Sequence, residues 1–122
     1  MDYLKKAVPN IQLSADIIVG FPGETDADFD ETIKLAKHLG LLHAHIFTYS
    51  IRPGTEAAQM DGQLPKSVKS QRAARLSEVC DEIRDGILTD IISDGSPVQV
   101  LAEQVQSGIV SGHTPYFAEV KF

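Results

Sequence analysis

The chain has 122 residues, of which 43% are hydrophobic, and a formal net charge of -6. The length suits one small domain or a domain and a half, and the negative charge argues against a nucleic-acid binder with a broad basic surface. The single cysteine, Cys80, excludes an internal disulfide and a metal site made of several cysteines. No apolar run approaches the about 20 residues that cross a bilayer, and residues 1–6 lack the apolar segment of a signal peptide. We therefore expect a cytoplasmic protein.

The first predicted elements are a short helix over residues 2–8, stopped by Pro9, and a strand over residues 11–19. Residues 17–19 are consecutive β-branched residues with no polar position between them. Such a run is typical of a strand that is covered on both faces in a parallel sheet.

A glycine–proline turn over residues 20–24 separates this strand from an amphipathic helix over residues 26–39. Thr25 and Asp28 have the spacing of a capping box, and Gly40 lies where a C-terminal cap belongs. The acidic residues at the start of the helix match its dipole and favour a solvated surface over a metal site. A strand, a glycine turn and a helix N-terminus mark the sheet edge where α/β proteins bind ligands.

The next elements are a strand over residues 43–50, a turn over 52–55, a loop over 56–65 and a long helix over 66–92. We expect one apolar stripe of the long helix to pack against the sheet layer; its positions are Val68, Arg72, Leu76, Val79, Ile83, Ile87 and Ile91. A strand, a helix and a strand in this order predict a parallel pair with a right-handed crossover. The turn after the second strand then lies on the same sheet edge as residues 20–24. We expect the two turns to form half of a ligand site.

Residues 94–97 end the long helix and form the best domain boundary. Alternation over residues 98–103, turns at 106–108 and 111–112 and a last strand at 116–122 predict two or three antiparallel strands. So small a sheet has unpaired edges and little core, and it does not complete a barrel.

Several of these segments together resemble the radical-SAM methylthiotransferases. Residues 16–32 are similar to the family's D-I-V-G-F-P-G-E-T-x-x-D-F-x-E-T, and residues 47–58 to F-P-Y-S-x-R-x-G-T-x-A, with Thr48 in place of the usual proline. The long helix carries the family's V-x-x-x-R-x-x-R-L at residues 68–76. The resemblance covers nearly the whole chain in the family's order.

The resemblance implies an α/β fold in two parts. Residues 1–94 are expected to be a βαβ piece of a partial TIM-like radical-SAM barrel with a long C-terminal helix. Residues 95–122, with Val98–Glu103 and Gly112–Thr114 as the matching segments, are expected to begin an antiparallel, OB-like TRAM domain. The cysteine motifs that hold the family's [4Fe-4S] clusters are not in this chain, which is therefore expected to be a C-terminal fragment.

The parent enzyme implied by the resemblance uses S-adenosylmethionine and [4Fe-4S] clusters to add a methylthio group to carbon 2 of a modified adenosine beside the tRNA anticodon. Arg75–Ser77 resembles the threonylcarbamoyl-adenosine branch. The alternatives are a ribosomal-protein aspartate methylthiotransferase and a non-catalytic truncated α/β module. The fragment alone is expected to be inactive, without bound cofactor or membrane contact, to reach tRNA only through the complete parent, and to self-associate through exposed strand edges.

The same resemblance implies a site for the adenine end of S-adenosylmethionine. A glycine at position 20 would let the ring approach, and strand-end backbone groups would pair with its edge. The alternative without a ligand is a tight turn in which the Glu24 side chain forms a hydrogen bond with a backbone amide. The candidate cofactor-binding residues are Ile18, Gly20, Phe21, Pro22, Gly23, Glu24, Phe47, Thr48 and Tyr49.

Four other side chains carry weaker signals. Arg52 suits a phosphate or a carboxylate of a substrate, but an ordinary surface arginine fits the pattern equally well. His43 and His45 alternate on one strand face, and without a third ligand nearby half-buried histidines are favoured over a metal pair. Cys80, on the apolar side of the long helix, is interpreted as a small buried hydrophobe.

Overall fold

The computed structural model of the chain describes residues 2–8 and 10–122; Pro9, the predicted stop of the first helix, lies outside them. The chain forms two compact units, Met1–Thr89 and Asp90–Phe122. Its elements, in order, are α1 (Asp2–Ala7), β1 (Leu13–Val19), α2 (Asp26–Leu39), β2 (Leu41–Thr48), a 3-10 helix (Glu56–Ala58), α3 (Lys66–Asp94), β3 (Leu101–Gln106), β4 (Ile109–His113) and β5 (Glu119–Lys121).

The first unit contains the predicted parallel pair. β1 and β2 pair in parallel, with Ile17 opposite Ile46 and Ile18 opposite Phe47. The observed β2 begins and ends two residues before the predicted strand, because Gly40 caps α2 in a left-handed conformation (φ 64°) and the next residue already enters the sheet. The mixed α/β architecture expected from the sequence is confirmed at this level.

Both ends of α2 are stabilised as the sequence predicts. The Thr25 side chain accepts a hydrogen bond from the Asp28 amide at 3.2 Å, and the Asp28 carboxylate accepts one from the Thr25 amide at 2.9 Å. The hydrogen bonds from Thr25 also lower the pKa of the Asp28 carboxyl below its ordinary value. This capping box fixes the direction in which the chain leaves the turn at residues 20–24.

The core of the first unit lies on one side of the sheet. It joins residues of β1, α2, β2 and α3, among which Leu76 is fully buried. The other buried members of this cluster are Val19, Phe29, Ile33, Ala36, Leu41 and Cys80. The stripe predicted along the long helix therefore does pack on the sheet layer.

The expectation that β1 is covered on both faces is wrong. Its side chains alternate between partly buried and exposed positions, and Ile18 is 58% exposed. The alternation arises because Leu13, Ala15 and Ile17 pack against the core cluster, whereas the residues between them point away from it and stay uncovered. We call the uncovered side the open face; it comprises Ser14, Asp16 and Ile18 of β1 with His45 and Phe47 of β2.

The second unit is a three-stranded antiparallel sheet in the order β3-β4-β5. The predicted turn at Ser111–Gly112 is wrong, because these residues lie inside β4 and pair with both neighbouring strands. Gly112 is needed there, since a Cβ would meet the backbone of Leu101. All side chains of β3 are exposed, so this sheet has little core of its own.

No helix within residues 2–8 and 10–122 is long and apolar enough to cross a membrane.

Leu76→Ala should destabilise the first unit by about 3 kcal/mol, because it removes a fully buried side chain and leaves a cavity. Leu35→Ala makes the same chemical change on α2, where the side chain is 56% exposed, and should cost below about 1 kcal/mol. Urea unfolding followed by circular dichroism measures both. Equal losses in the two variants would contradict the position of the core.

Candidate functional site

The carboxyl ends of β1 and β2 meet at one edge of the sheet, as the sequence predicts. The Tyr49 amide donates a hydrogen bond to the Val19 carbonyl at 2.8 Å, which extends the pairing by one residue. The ring of Phe21 meets the ring of Tyr49 edge to face, with centroids 5.3 Å apart. The two predicted segments of the site, residues 20–24 and 47–49, are therefore neighbours.

An exposed apolar pair lies beside this edge on the open face. Ile18 and Phe47 are register partners, and they are 58% and 54% exposed. Large apolar side chains so exposed and so close together are unlike the scattered apolar residues of an ordinary surface. They provide a platform for a flat apolar ring.

Glu24 organises the turn that precedes α2. One of its carboxylate oxygens accepts a hydrogen bond from the Gly20 amide at 3.0 Å, and the other accepts one from Arg72 at 2.5 Å. Arg72 also donates to the Glu24 main-chain carbonyl at 3.1 Å. The hydrogen bond between Glu24 and a backbone amide, which is expected for a tight turn without a ligand, is thus present.

Arg72 is the residue that sequence reasoning missed. Its spacing places it in the apolar stripe of the long helix, and its side chain is 7% exposed there while it forms ion pairs with both Glu24 and Asp26. Burial disfavours its charge, but hydrogen bonds to the two carboxylates outweigh this and raise the pKa of Arg72 above its ordinary value. A cation at a stripe position was the available signal for a buried carboxylate partner.

Lys69 lies one turn before Arg72 and contacts both segments of the site. A Cβ at Gly20 would overlap the stem of Lys69, and the Gly20 backbone is left-handed (φ 73°). The left-handed backbone and the Lys69 stem are therefore two reasons for glycine at this position, and the approach of an adenine ring stays a prediction. The Lys69 ammonium donates to the Tyr49 carbonyl at 3.0 Å and lies 5.5 Å from the ring centroid.

Tyr49 is tied into the protein at every main-chain polar group. Its amide bonds Val19 and its carbonyl accepts from Lys69. Its hydroxyl is buried and has no hydrogen-bond partner among the described residues. Buried hydroxyls normally have partners, so this group is a candidate donor to a ligand.

The remaining predicted residues lie around this edge with different exposures. Pro22 is buried and Gly23 exposed, and the Gly23 amide donates to the Gly62 carbonyl at 3.0 Å. Thr48 is exposed at the end of β2. Arg52 is exposed in the next turn, where its carbonyl accepts from the Thr55 hydroxyl at 2.8 Å.

The described histidine, cysteine and acidic side chains do not cluster in a way that favours metal binding. No group of three or more histidine, cysteine or acidic side chains that could hold a metal ion occurs within residues 2–8 and 10–122. Cys80 is buried, as predicted, and burial raises the pKa of its thiol. A single buried thiol cannot supply the several cysteines of a [4Fe-4S] cluster, so the residues present do not fit that group.

The fold and the candidate site define an α/β protein in which two turns meet at the carboxyl ends of parallel strands, the edge where proteins of this class bind ligands. No family model matches the sequence. The whole chain is 40% identical to the threonylcarbamoyladenosine tRNA methylthiotransferase MtaB of Thermotoga maritima, of which it covers 28%. It is 40% identical over 111 residues to the tRNA-2-methylthio-N(6)-dimethylallyladenosine synthase of Endomicrobium trichonymphae, matching 91% of this chain and 26% of that protein. For the synthase of the same name in Clostridium botulinum, identity is 45% over 100 residues, 76% of this chain and 22% of that protein.

The chain is thus similar to one part of the tRNA methylthiotransferases, a partial match. It spans about a quarter of the length of the curated relatives that it matches. This agrees with the family named from the sequence motifs.

Glu24→Gln should lower the free energy of unfolding by about 3 kcal/mol, because it leaves the buried Arg72 without its buried carboxylate. Asp26→Asn removes the other carboxylate, which is 96% exposed, and should cost below about 1 kcal/mol. Chemical denaturation compares the two. A larger loss in the Asp26 variant would show that Glu24 is not the main partner of Arg72.

Cys80 should react with a thiol reagent more than about tenfold more slowly in the native chain than in urea at pH 8, because burial blocks access and raises its pKa. Because the folded thiol has the higher pKa, its contribution to stability is present below the ordinary thiol pKa and is lost as the pH rises above it. Absorbance of the released reagent measures the rate. Equal rates would contradict its burial.

Proposed function

We propose that this chain is the C-terminal part of a radical-SAM tRNA methylthiotransferase. Residues 1–94 would supply the last strands of the partial barrel, and residues 95–122 would begin a TRAM domain. The observation that carries the proposal is the 40% identity, along the whole chain, to one part of the Thermotoga maritima methylthiotransferase. In the parent this edge would bind the adenine end of S-adenosylmethionine.

The packing of helices on one face of the β1–β2 sheet supports the proposal that residues 1–94 are a segment of a barrel. In a barrel of parallel strands the helices cover the outside, and alternate residues of each strand face the interior. The core side of β1 packs on α2 and α3, so the open face would be the interior side. Ile18 and Phe47, both exposed, would then line the interior at its ligand-binding end.

The residues at this edge fit the nucleoside end of S-adenosylmethionine. Ile18 and Phe47 offer an apolar surface for adenine, and the buried Tyr49 hydroxyl is an available hydrogen-bonding group. Phe21, Pro22, Gly23 and Thr48 complete the walls, and Arg52 is proposed to contact the substrate. S-adenosylmethionine would supply the reactive group, whereas the radical chemistry depends on a cluster for which this chain has no fitting ligands. The chain alone is proposed to be inactive.

The proposed reaction is addition of a methylthio group to carbon 2 of an N6-modified adenosine in tRNA. Threonylcarbamoyl-adenosine is favoured because the relative that matches along the whole chain carries that substrate in its name. The second candidate, dimethylallyl-adenosine, is favoured by the higher identity of the Clostridium botulinum relative over a shorter stretch. Both modifications extend the same adenine nitrogen, so the two candidates share one chemistry.

The second unit would contact tRNA only within the complete parent. Among residues 95–122, Lys121 is the one lysine or arginine, whereas Glu103 and Glu119 are acidic. A carboxylate oxygen of Glu103 lies 2.9 Å from the Nδ1 atom of His113. A surface of this charge does not attract a phosphate backbone. We therefore place the main tRNA contacts outside residues 95–122.

A chimera tests the proposal directly. The aligned segment of the Thermotoga maritima enzyme is replaced by residues 1–122, and methylthio formation on tRNA is measured by mass spectrometry of the digested nucleosides. We expect activity within about tenfold of the parent, because the two segments share their fold and edge residues. Ile18→Asp and Phe47→Asp should raise KM for S-adenosylmethionine at least about tenfold, since a charge would replace the apolar platform.

Val105→Asp is the matched control, since this side chain is 74% exposed on β3 and outside the proposed site. It should leave KM for S-adenosylmethionine unchanged. A chimera that folds and assembles its clusters but transfers no methylthio group would overturn the proposal. So would an unchanged KM in both site variants.

A further inference from the structure

We propose that Lys69 and Arg72 form a clamp that fixes both segments of the candidate site, which makes them positioning residues for the nucleoside end of S-adenosylmethionine. Neither residue was a candidate from the sequence. The inference rests on the proposed function of this edge. Its physical basis, the contacts from α3 to residues 20–24 and to Tyr49, is independent of that function.

Arg72 controls the first segment through Glu24. Its guanidinium binds the carboxylate and the main-chain carbonyl of Glu24, and the second carboxylate oxygen accepts from the Gly20 amide. An uninterrupted series of hydrogen bonds thus runs from α3 to a glycine in the left-handed region. Because bonds to charged groups are the strong ones, the turn cannot rearrange without breaking this series.

Lys69 controls the second segment and ties it to the first. Its stem packs against Gly20, while its ammonium binds the Tyr49 carbonyl at 3.0 Å and lies over the Tyr49 ring. Residues three apart on a helix lie on the same face, so Lys69 and Arg72 act side by side. One face of α3 therefore sets the distance between the turn after β1 and the end of β2.

The contribution of Arg72 to stability does not by itself explain why this side chain is buried. A buried ion pair is often no more stabilising than apolar residues of similar size, because desolvation offsets the attraction. The neighbouring buried residues of α3, Leu76 and Cys80, show that this face can pack apolar side chains. What an apolar residue at position 72 could not do is hold the Glu24 carboxylate toward the Gly20 amide.

The decisive variants separate positioning from packing. The double variant Arg72→Met with Glu24→Gln removes the charges but keeps comparable volume, and Lys69→Met keeps the stem against Gly20 while removing the ammonium. Arg72→Lys keeps the charge without the planar fork. Arg84→Met is the matched control, since Arg84 lies on α3 outside the site and is half-exposed.

The first measurement is amide hydrogen exchange of this 122-residue chain. The Arg72/Glu24 double variant should speed exchange of residues 20–24 at least about tenfold, the loss expected for one charged hydrogen bond, and leave the interior of α2 unchanged. Lys69→Met should do the same for residues 48–50. Unchanged exchange at both segments would overturn the clamp.

The second measurement is steady-state kinetics of the chimera. The double variant and Lys69→Met should raise KM for S-adenosylmethionine about tenfold with kcat within about threefold, Arg72→Lys should recover part of the loss, and Arg84→Met should behave as the parent chimera. Faster exchange with an unchanged KM would reduce the clamp to a structural role and overturn the proposal. An inactive parent chimera would instead remove the proposed function, while the exchange data still report whether the clamp exists.

Discussion

The buried contact between Arg72 and Glu24 is the constraint on which the rest of the site depends. It joins two positions 48 residues apart and connects the first turns of α3 with the turn after β1. Without it Glu24 would have no reason to face inward, and the Gly20 amide would lose its acceptor. The turn at the sheet edge is thus held by α3, a helix that comes later in the chain, after α2, β2 and the 3-10 helix.

In this arrangement, stability and the geometry of the sheet edge come from different residues. Apolar burial around Leu76 supplies the favourable free energy of the first unit, whereas Arg72 and Lys69 add mainly geometry. The same helix does both, because its buried stripe changes from charged to apolar along its length. Its first turns face the sheet edge, and its middle faces the core.

Much of the fold follows from local sequence. The capping box of Thr25 and Asp28 and the cap at Gly40 depend on residues close in the chain, so their spacing was enough to predict them. The partner of Arg72 could not be predicted, because it depends on how α3 lies over the sheet. The exposure of Ile18 was mispredicted for a related reason: an apolar run does not say which face a neighbouring element covers.

The alternation of β1 has a consequence for how this segment can vary. Odd-numbered positions, such as Ile17, pack on the helices, and even-numbered positions, such as Ile18, set the chemistry of the open face. Because the two sets of side chains never share a neighbour across the sheet, each can change while the other stays fixed. One seven-residue strand therefore has two sets of positions that can vary separately, one that packs in the core and one that forms the open face.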